Sequence, residues 1–435
     1  MKIDVNVDKE ISPHFDKALY SSALNKVFKG GRGSTKSSVI SIQLVLDFLS
    51  DPLANVLIMR KVANTIELSV YEQIKWAIYE LHVENLFRFQ KSPYRITHKK
   101  TGTAFYFSGV DDPAKLKSMI IAKGYVRWLW FEELAEFDDW ETVDTVRASF
   151  TRKRLPPGKH VVTYYSYNPP KNPYEWINEW IEQRRNMPNW FIDHSTYKDV
   201  RAGILSDDYL DEINVVKSND ENYYRWMYLG EVVGLGNNVY NMDLFHAIKN
   251  IPDDEYLVNI YFSQDSGQQV SATTELCLGI TNKKNVILLN TYYYSPAGKA
   301  VKKAPSDIAD DLYKIEQQWI EKWQMKPWKM SADSATTDYA LDHEMFKRHN
   351  QHYHHVNKTE KTKMIDHVQD LLATGRFYYL DKPDNQIFID QHKMYRWDED
   401  SLKTAKPKVI KDNDHTCDAF QYFVLDNLRD LNLKW

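Results

Sequence analysis

Residues 27–41 read VFKGGRGSTKSSVIS. An apolar strand end, a glycine turn and a Lys-Ser pair opening an apolar-periodic stretch follow one another here. A phosphate-binding loop needs backbone N–H groups turned inward, a lysine that reaches the β and γ phosphates, and a hydroxyl for the metal. Gly30, Gly31 and Gly33 permit the tight turn. Lys36 and Ser37 stand at the spacing Gly30-x4-Thr35-Lys36-Ser37, flanked by Ser34 and Ser38. Thr35 takes the place where a glycine normally precedes the lysine, so in isolation the stretch also reads as a basic, glycine-rich turn. Its surroundings decide between the two.

Residues 24–28 read as a short strand and 37–49 as an amphipathic helix with Ile40, Leu44 and Phe48 along one face. ANVLIMR (54–60) is a second buried strand, followed by a helix over about 64–82. Strands are expected at 103–109, 124–133 and 159–170, the last stopping at a proline pair. Strands alternating with helices predict an α/β fold with a mainly parallel sheet. Between about 195 and 250 the pattern weakens into polar stretches such as KSNDEN, and the domain boundary is placed there. Beyond it, strands at 256–264, 272–281 and 285–294 read as an antiparallel meander. A helix over 305–323, a strand over 328–333, and helices near 360–374 and 415–428 follow. The two halves therefore have different folds.

RWLWFEELAEF (127–137) carries the second part of a nucleotide site, a buried strand ending in acids. Glu132 suits the hydration shell of a magnesium ion, and Glu133 can orient and polarise the attacking water. The plain alternative is a strand running into an acidic helix start, where the helix dipole favours glutamate anyway. Arg32 inside the glycine loop is either a solvated charge or a guanidinium that stabilises transferring charge. SYNPP (166–170) ends the next strand with Ser166 and Asn168; this is a simple turn or the place of a γ-phosphate sensor.

FKGGRGSTKSS, WFEE and YSYNPP, in this order and at these separations, resemble the ATPase half of the large terminase subunits of tailed bacteriophages, as do TYKD (196–199) and YLGE (228–231). The resemblance implies Arg32 as the arginine of the loop, Glu133 as the catalytic glutamate and Asn168 as part of a coupling motif. The sequence departs from that pattern at Thr35 and at Glu132, where many ATPases carry aspartate. The fold implied is a P-loop ATPase of the additional-strand type over 1–235, with a linker at about 195–240, and a ribonuclease H-like nuclease over 240–435.

Most of the 60 acidic residues read as solvated charges or caps. Asp265 and Asp333 instead close strands, and Asp418 lies in a helix striped by Cys417, Phe420, Val424 and Leu428. His415 projects from nearly the same face as Asp418. Periodicity cannot join residues so far apart; the resemblance does. It implies a two-metal nuclease centre of Asp265, Asp333, His415 and Asp418, with Asp338, Asp414 and Lys361 as neighbours. Two divalent cations, Mg²⁺ or Mn²⁺, would activate water and stabilise the leaving oxygen.

Net charge is only −4, so DNA contacts should be local. Arg147, Arg152, Lys153, Arg154 and Lys159 form a basic group that binds backbone phosphates, supplies an arginine to a neighbouring subunit, or is a solvated loop. The 299–305 segment and Lys358, Lys361 and Lys363 are further basic groups. Two distant cysteines, Cys277 and Cys417, provide neither metal spacing nor a disulfide framework, so a reduced compartment is expected. The first residues lack the apolar core of a secretion signal, and no run of about 18 apolar residues occurs. The resemblance implies ATP with Mg²⁺ as cofactor. It also implies double-stranded DNA, a portal protein and a small terminase subunit as partners, and a ring, pentameric on the portal. The place of action it implies is the host bacterial cytoplasm, docked transiently at the procapsid and away from membranes. The alternative reading is a helicase-like or repair ATPase–nuclease that acts on DNA without a capsid.

Overall fold

The computed structural model describes residues 11–110, 116, 121, 123–152, 154–267, 271–333 and 339–433. The chain divides into two compact units, residues 1–213 with 221–234, and 214–220 with 235–435.

The first unit is built on a sheet whose described strands are β1 (Asn25–Gly30), β2 (Ala54–Arg60), β3 (Phe87–Lys91), β4 (Tyr94–His98), β5 (Ala104–Gly109), β6 (Tyr125–Glu132), β7 (Val162–Tyr167) and β8 (Trp190–Ser195). Their order is β3-β4-β5-β2-β6-β7-β1-β8, parallel from β5 to β8, with β3 and β4 as an antiparallel edge hairpin. Strand β7 lies between β1, which leads into the glycine loop, and β6, which ends in Glu132; this is the additional strand expected. Successive residues of β2 enter opposite cores, Val56 and Ile58 with Phe28, Ile40, Leu44 and Trp130, and Leu57 and Met59 with Val27, Phe131 and Tyr165. Burial on both faces is why these strands read as unbroken apolar runs.

One expectation is corrected. The single helix over 64–82 is broken: a wide turn over Glu67–Tyr71 kinks at Ser69 (φ −116°, ψ −105°), and the regular helix covers only Glu72–Glu80. The Ser69 hydroxyl donates to the Thr65 carbonyl at 2.6 Å, competing with the backbone ladder. The stretch assigned to a linker holds two helices, Asp207–Asn219 and Glu221–Leu229. The first buries only Ile213 and Val216 among its apolar residues, too thin a stripe to register as a period.

The second unit's sheet has the described strands β9 (His246–Ile248), β10 (Leu257–Ser266), β11 (Thr273–Thr281), β12 (Val286–Tyr294), β13 (Pro327–Ala332), β14 (His354–His355) and β15 (Phe377–Leu380). Their order is β14-β13-β10-β11-β12-β15-β9. The meander β10-β11-β12 is antiparallel, and β13 adds to β10 in parallel. The helix Pro305–Trp323 contributes Ile308, Leu312 and Trp319 to the core on one face of the sheet. The closing helix His415–Asp426 buries Cys417, Phe420 and Val424 on the other. Cys277 and Cys417 are both free and buried. No described helix is long and apolar enough to cross a membrane.

Candidate active sites

The glycine loop leaves β1 and enters the helix Lys36–Ser50 at the carboxyl end of the parallel strands. Its glycines are required by close approach. A Cβ on Gly30 would lie 1.9 Å from the Ser195 carbonyl oxygen, and one on Gly31 2.0 Å from that of Tyr228. Gly33 has φ +76°. Thr35 also has a left-handed backbone, φ 62° and ψ 10°, and this explains why a glycine normally stands at this position. The loop requires a conformation that costs a β-branched residue about 1–2 kcal/mol, and Thr35 adopts it nonetheless. The Ser34 hydroxyl is buried with no partner among the described residues, as suits a group kept for a ligand's oxygen.

Lys36 is buried; its ammonium donates to Asn168 Oδ1 at 2.5 Å and to the Gly31 carbonyl at 3.5 Å. Burial pushes its pKa down, Glu133 and Glu132 oppose this, and Arg32 adds to it. Glu132, Glu133 and Arg32 thus share one electrostatic neighbourhood with the lysine. Burial and then the charge of Glu133 push Glu132 up to about 8, while the ion pair with Arg60 Nε at 2.9 Å holds it down. Glu133 follows β6 with φ 53°. Ser166 accepts from Trp130 Nε1 at 2.9 Å, fixing β7 to β6 just before Asn168. Ser37 and Ser38 lie in the first turn of the helix, half-buried.

Sequence reasoning missed Arg60 and the support beneath the loop. The Arg32 N–H donates to the Met227 carbonyl at 2.8 Å. Gly230, at φ +65°, packs against the backbone of Gly30 and Gly31. A charged residue closing the buried run VLIMR was the available signal for Arg60; Gly230 lies in the YLGE stretch, but nothing there placed it beneath the loop.

The basic group is not brought to the loop. Arg147, Arg154 and Lys159 line a cleft of about 490 Å³ with Asn25 and Thr163, at the amino ends of β1 and β7. Arg147 pairs with Asp144 at 2.7 Å and Lys159 with Asp51 at 2.9 Å. Arg152 and Arg154 are exposed, and Lys153 lies outside the described residues.

In the second unit, β10 and β13 pair in parallel with Gln264 opposite Ala332, which brings Asp333 level with Asp265. The closing helix crosses this end, held where the Ser263 hydroxyl donates to the Ala419 carbonyl at 2.7 Å. His415 Nδ1 bonds Asp265 Oδ2 at 2.7 Å, and its Nε2 meets the Ser271 hydroxyl at 2.8 Å. Burial pushes Asp265 up to about 6 against the His415 bond, and Asp418 and Asp333 repel it further. Burial works against charge on His415, but Asp265 prevails and its pKa is raised. Asp414 is raised by burial and then by Asp418. A cleft of about 410 Å³ opens here, lined by Asp265, Asp414, His415 and Asp418. Lys358 pairs with Asp333 and Lys361 with Asp418. Asp338 lies outside the described residues.

The donor set suits a hard divalent cation in kind, since it is dominated by carboxylate oxygens at a strand end. No group of three or more His, Cys, Asp or Glu side chains among the described residues is gathered closely enough to hold an ion. The lysines and His415 occupy the carboxylates instead.

Fold and sites define the class: a parallel-sheet ATPase domain of the P-loop kind followed by a ribonuclease H-like domain. A family model described as phage terminase large subunit matches residues 22–231, and one described as terminase RNase H-like domain matches residues 265–426. The chain belongs to the phage terminase large-subunit family. It is 39% identical over 236 residues to the terminase large subunit of Bacillus phage SPP1, covering 53% of this chain and 55% of that one. It is 31% identical over 129 residues to the PBSX phage terminase large subunit of Bacillus subtilis, covering 29% and 28%. The chain spans about half the length, or less, of these curated relatives. The large terminase of a thermophilic bacteriophage superposes with a TM-score of 0.76 at 20% identity, covering 96% of this chain and 99% of that one. Structures of that terminase with ADP and with ATP-γ-S superpose at 0.74 and 0.72, each at 20% identity over 95% of this chain and 98% of that one.

Proposed function

We propose that this chain is a DNA-packaging motor and nuclease, in which ATP hydrolysis by the first unit drives double-stranded DNA through a portal into a procapsid. The second unit cuts concatemeric DNA before and after filling. The observation that carries this reading is the convergence of Lys36, Asn168, Glu132 and Glu133 at one sheet end, in a chain whose second sheet presents Asp265, Asp333 and Asp418 at its own.

Gly30, Gly31, Gly33, Ser34, Thr35 and Ser38 would cradle the phosphates, and Lys36 would neutralise them. Ser37 and Glu132 would hold Mg²⁺, which supplies neutralisation of charge on the phosphate oxygens. Glu133 polarises the attacking water and Arg32 stabilises transferring charge. Asn168, bonded to Lys36, and Ser166 relay the state of the nucleotide to the sheet. The nucleotide complexes of the thermophilic phage's terminase support this reading. Asp265, Asp333, Asp418 and His415 would hold two Mg²⁺ or Mn²⁺ ions, whose chemistry is water activation and stabilisation of the leaving oxygen. Among Arg147, Arg152, Lys153 and Arg154, the exposed members grip DNA phosphates or reach a neighbouring subunit. The setting is the host bacterial cytoplasm, with a pentameric ring on the portal and a small terminase subunit that selects DNA. The helicase-like or repair reading shares both chemistries, but both matched family models describe terminases.

The test is ATP turnover by the full chain with DNA and portal. Stimulated turnover that disappears in Lys36→Ala, with Mn²⁺-dependent plasmid cutting retained, is the expected result. Turnover that neither DNA nor portal stimulates would refute the motor.

A further inference from the structure

Each of the three carboxylates at the second sheet's end already has a nitrogen partner, and two of these partners are ammonium groups: His415 on Asp265, Lys358 on Asp333 and Lys361 on Asp418. The lysine pairs are not loose surface contacts. Their side chains are 31% and 26% exposed, and those of the two aspartates 10% and 17%. Both lysines stand at one helix start: Lys361 opens the helix Lys361–Ala373 and Lys358 lies just before it.

Asp426, on the same closing helix, shows what a permanent structural pair looks like here. It takes Lys329 at 2.8 Å, the Ser331 hydroxyl at 2.6 Å and His354 at 2.9 Å, from β13 and β14. Lys358 and Lys361 have alternatives beside them instead. Lys358 Nζ lies 5.0 Å from the Tyr422 ring centre and Lys361 Nζ 6.0 Å from that of Tyr395, faces on which a displaced ammonium can rest. Three carboxylates cannot keep these ammonium groups on the same oxygens while two divalent cations add four positive charges, because like charges at such range repel strongly.

We propose that Lys358 and Lys361 are built-in counter-ions of the carboxylate cluster, which a divalent metal must displace, so that these two lysines set the metal affinity of the site. This rests on the nuclease reading above. The pairs neutralise the acids in the metal-free chain and compete with every incoming ion. Removing a lysine therefore acts in opposite directions on two observables: the metal-free fold weakens while the metal binds more tightly. A lysine that merely scaffolds the site would weaken both.

The test is a Mn²⁺ titration of the full chain without DNA, with free Mn²⁺ read by electron paramagnetic resonance. Lys358→Gln and Lys361→Gln should each bind Mn²⁺ about tenfold more tightly, about 1.4 kcal/mol, while Lys361→Arg stays near the parent. The melting temperature without metal should fall in the Gln variants and its rise on adding Mn²⁺ should grow. If one Gln variant does not fold, the other carries the test. Parent binding that Asp333→Ala abolishes, with Gln variants no tighter, overturns the inference and leaves the nuclease reading standing. Binding that Asp333→Ala does not weaken overturns both.

Discussion

Lys36 Nζ lies 2.5 Å from Asn168 Oδ1, a hydrogen bond between the phosphate loop and the residue just beyond β7. The bond holds a buried ammonium, disfavoured by desolvation, at the position from which it would meet the nucleotide. Asn168→Ala leaves that ammonium misdirected, and misplacement of about 1 Å can cost on the order of 100-fold in rate. ATP turnover by Asn168→Ala should fall by about that factor, with DNA cutting intact. Parent-like turnover would show that the bond has no part in hydrolysis.

Thr35→Gly should stabilise the first unit. The left-handed backbone at φ 62° costs threonine about 1–2 kcal/mol, of which glycine's greater unfolded-state freedom returns about 0.5–1. A higher melting temperature, with ATP turnover at least equal to the parent's, is expected. A lower one would mean that the threonine side chain makes a contribution exceeding its strain.

Gly230→Ala should disable the first site from outside the motif. The added Cβ would lie 2.6 Å from the Gly30 carbonyl carbon, on a backbone at φ +65°. The glycine loop must then shift. ATP turnover should drop as far as in Lys36→Ala while Mn²⁺-dependent cutting persists; retained turnover would show that the loop tolerates the displacement.

Asp333→Ala and Asp418→Asn should each abolish plasmid cutting and spare ATP turnover. Lys358 and Lys361 are left unpaired by these changes, so the second unit should also lose stability when metal is absent. Cleavage that survives either substitution would remove that aspartate from the proposed centre.

The second unit should lose stability as pH rises above the ordinary carboxylate range. Glu275 is fully buried, and burial followed by the charge of Glu316 raises its pKa well above the usual value; Glu316 is raised too. Tyr353 has a single proton to share between them, and its hydroxyl faces both carboxylates. The folded state therefore holds protons that the unfolded state has released. The stabilisation is full below the unfolded pKa of about 4.5 and fades as pH climbs towards the folded value. Glu275→Gln, neutral throughout, should flatten the dependence of urea unfolding on pH above the unfolded pKa of about 4.5. An unchanged slope would place the titrating groups elsewhere.

Much of this was legible locally. Strand β2 appears where ANVLIMR was expected, and the order strand, glycine turn, helix, then strand ending in two acids, is visible without coordinates. Other elements left weak marks. The helix Asp207–Asn219 is mostly exposed, and β14 is a two-residue pairing on the edge of a sheet. Neither buries enough apolar surface to impose a period.

The loop chemistry was determined along the chain, because one turn and one helix start bring together residues only a few positions apart. The seat of Gly230 beneath the loop and the lysines on Asp333 and Asp418 were not. They depend on strand register and on approaches between segments far apart in sequence, and side-chain type and spacing do not encode such distances. Asp265 and Asp333 became neighbours only when β13 paired in parallel with β10, and Lys361 met Asp418 only when two helices packed against each other. Burial then made those few ionic contacts matter, since water no longer screens them.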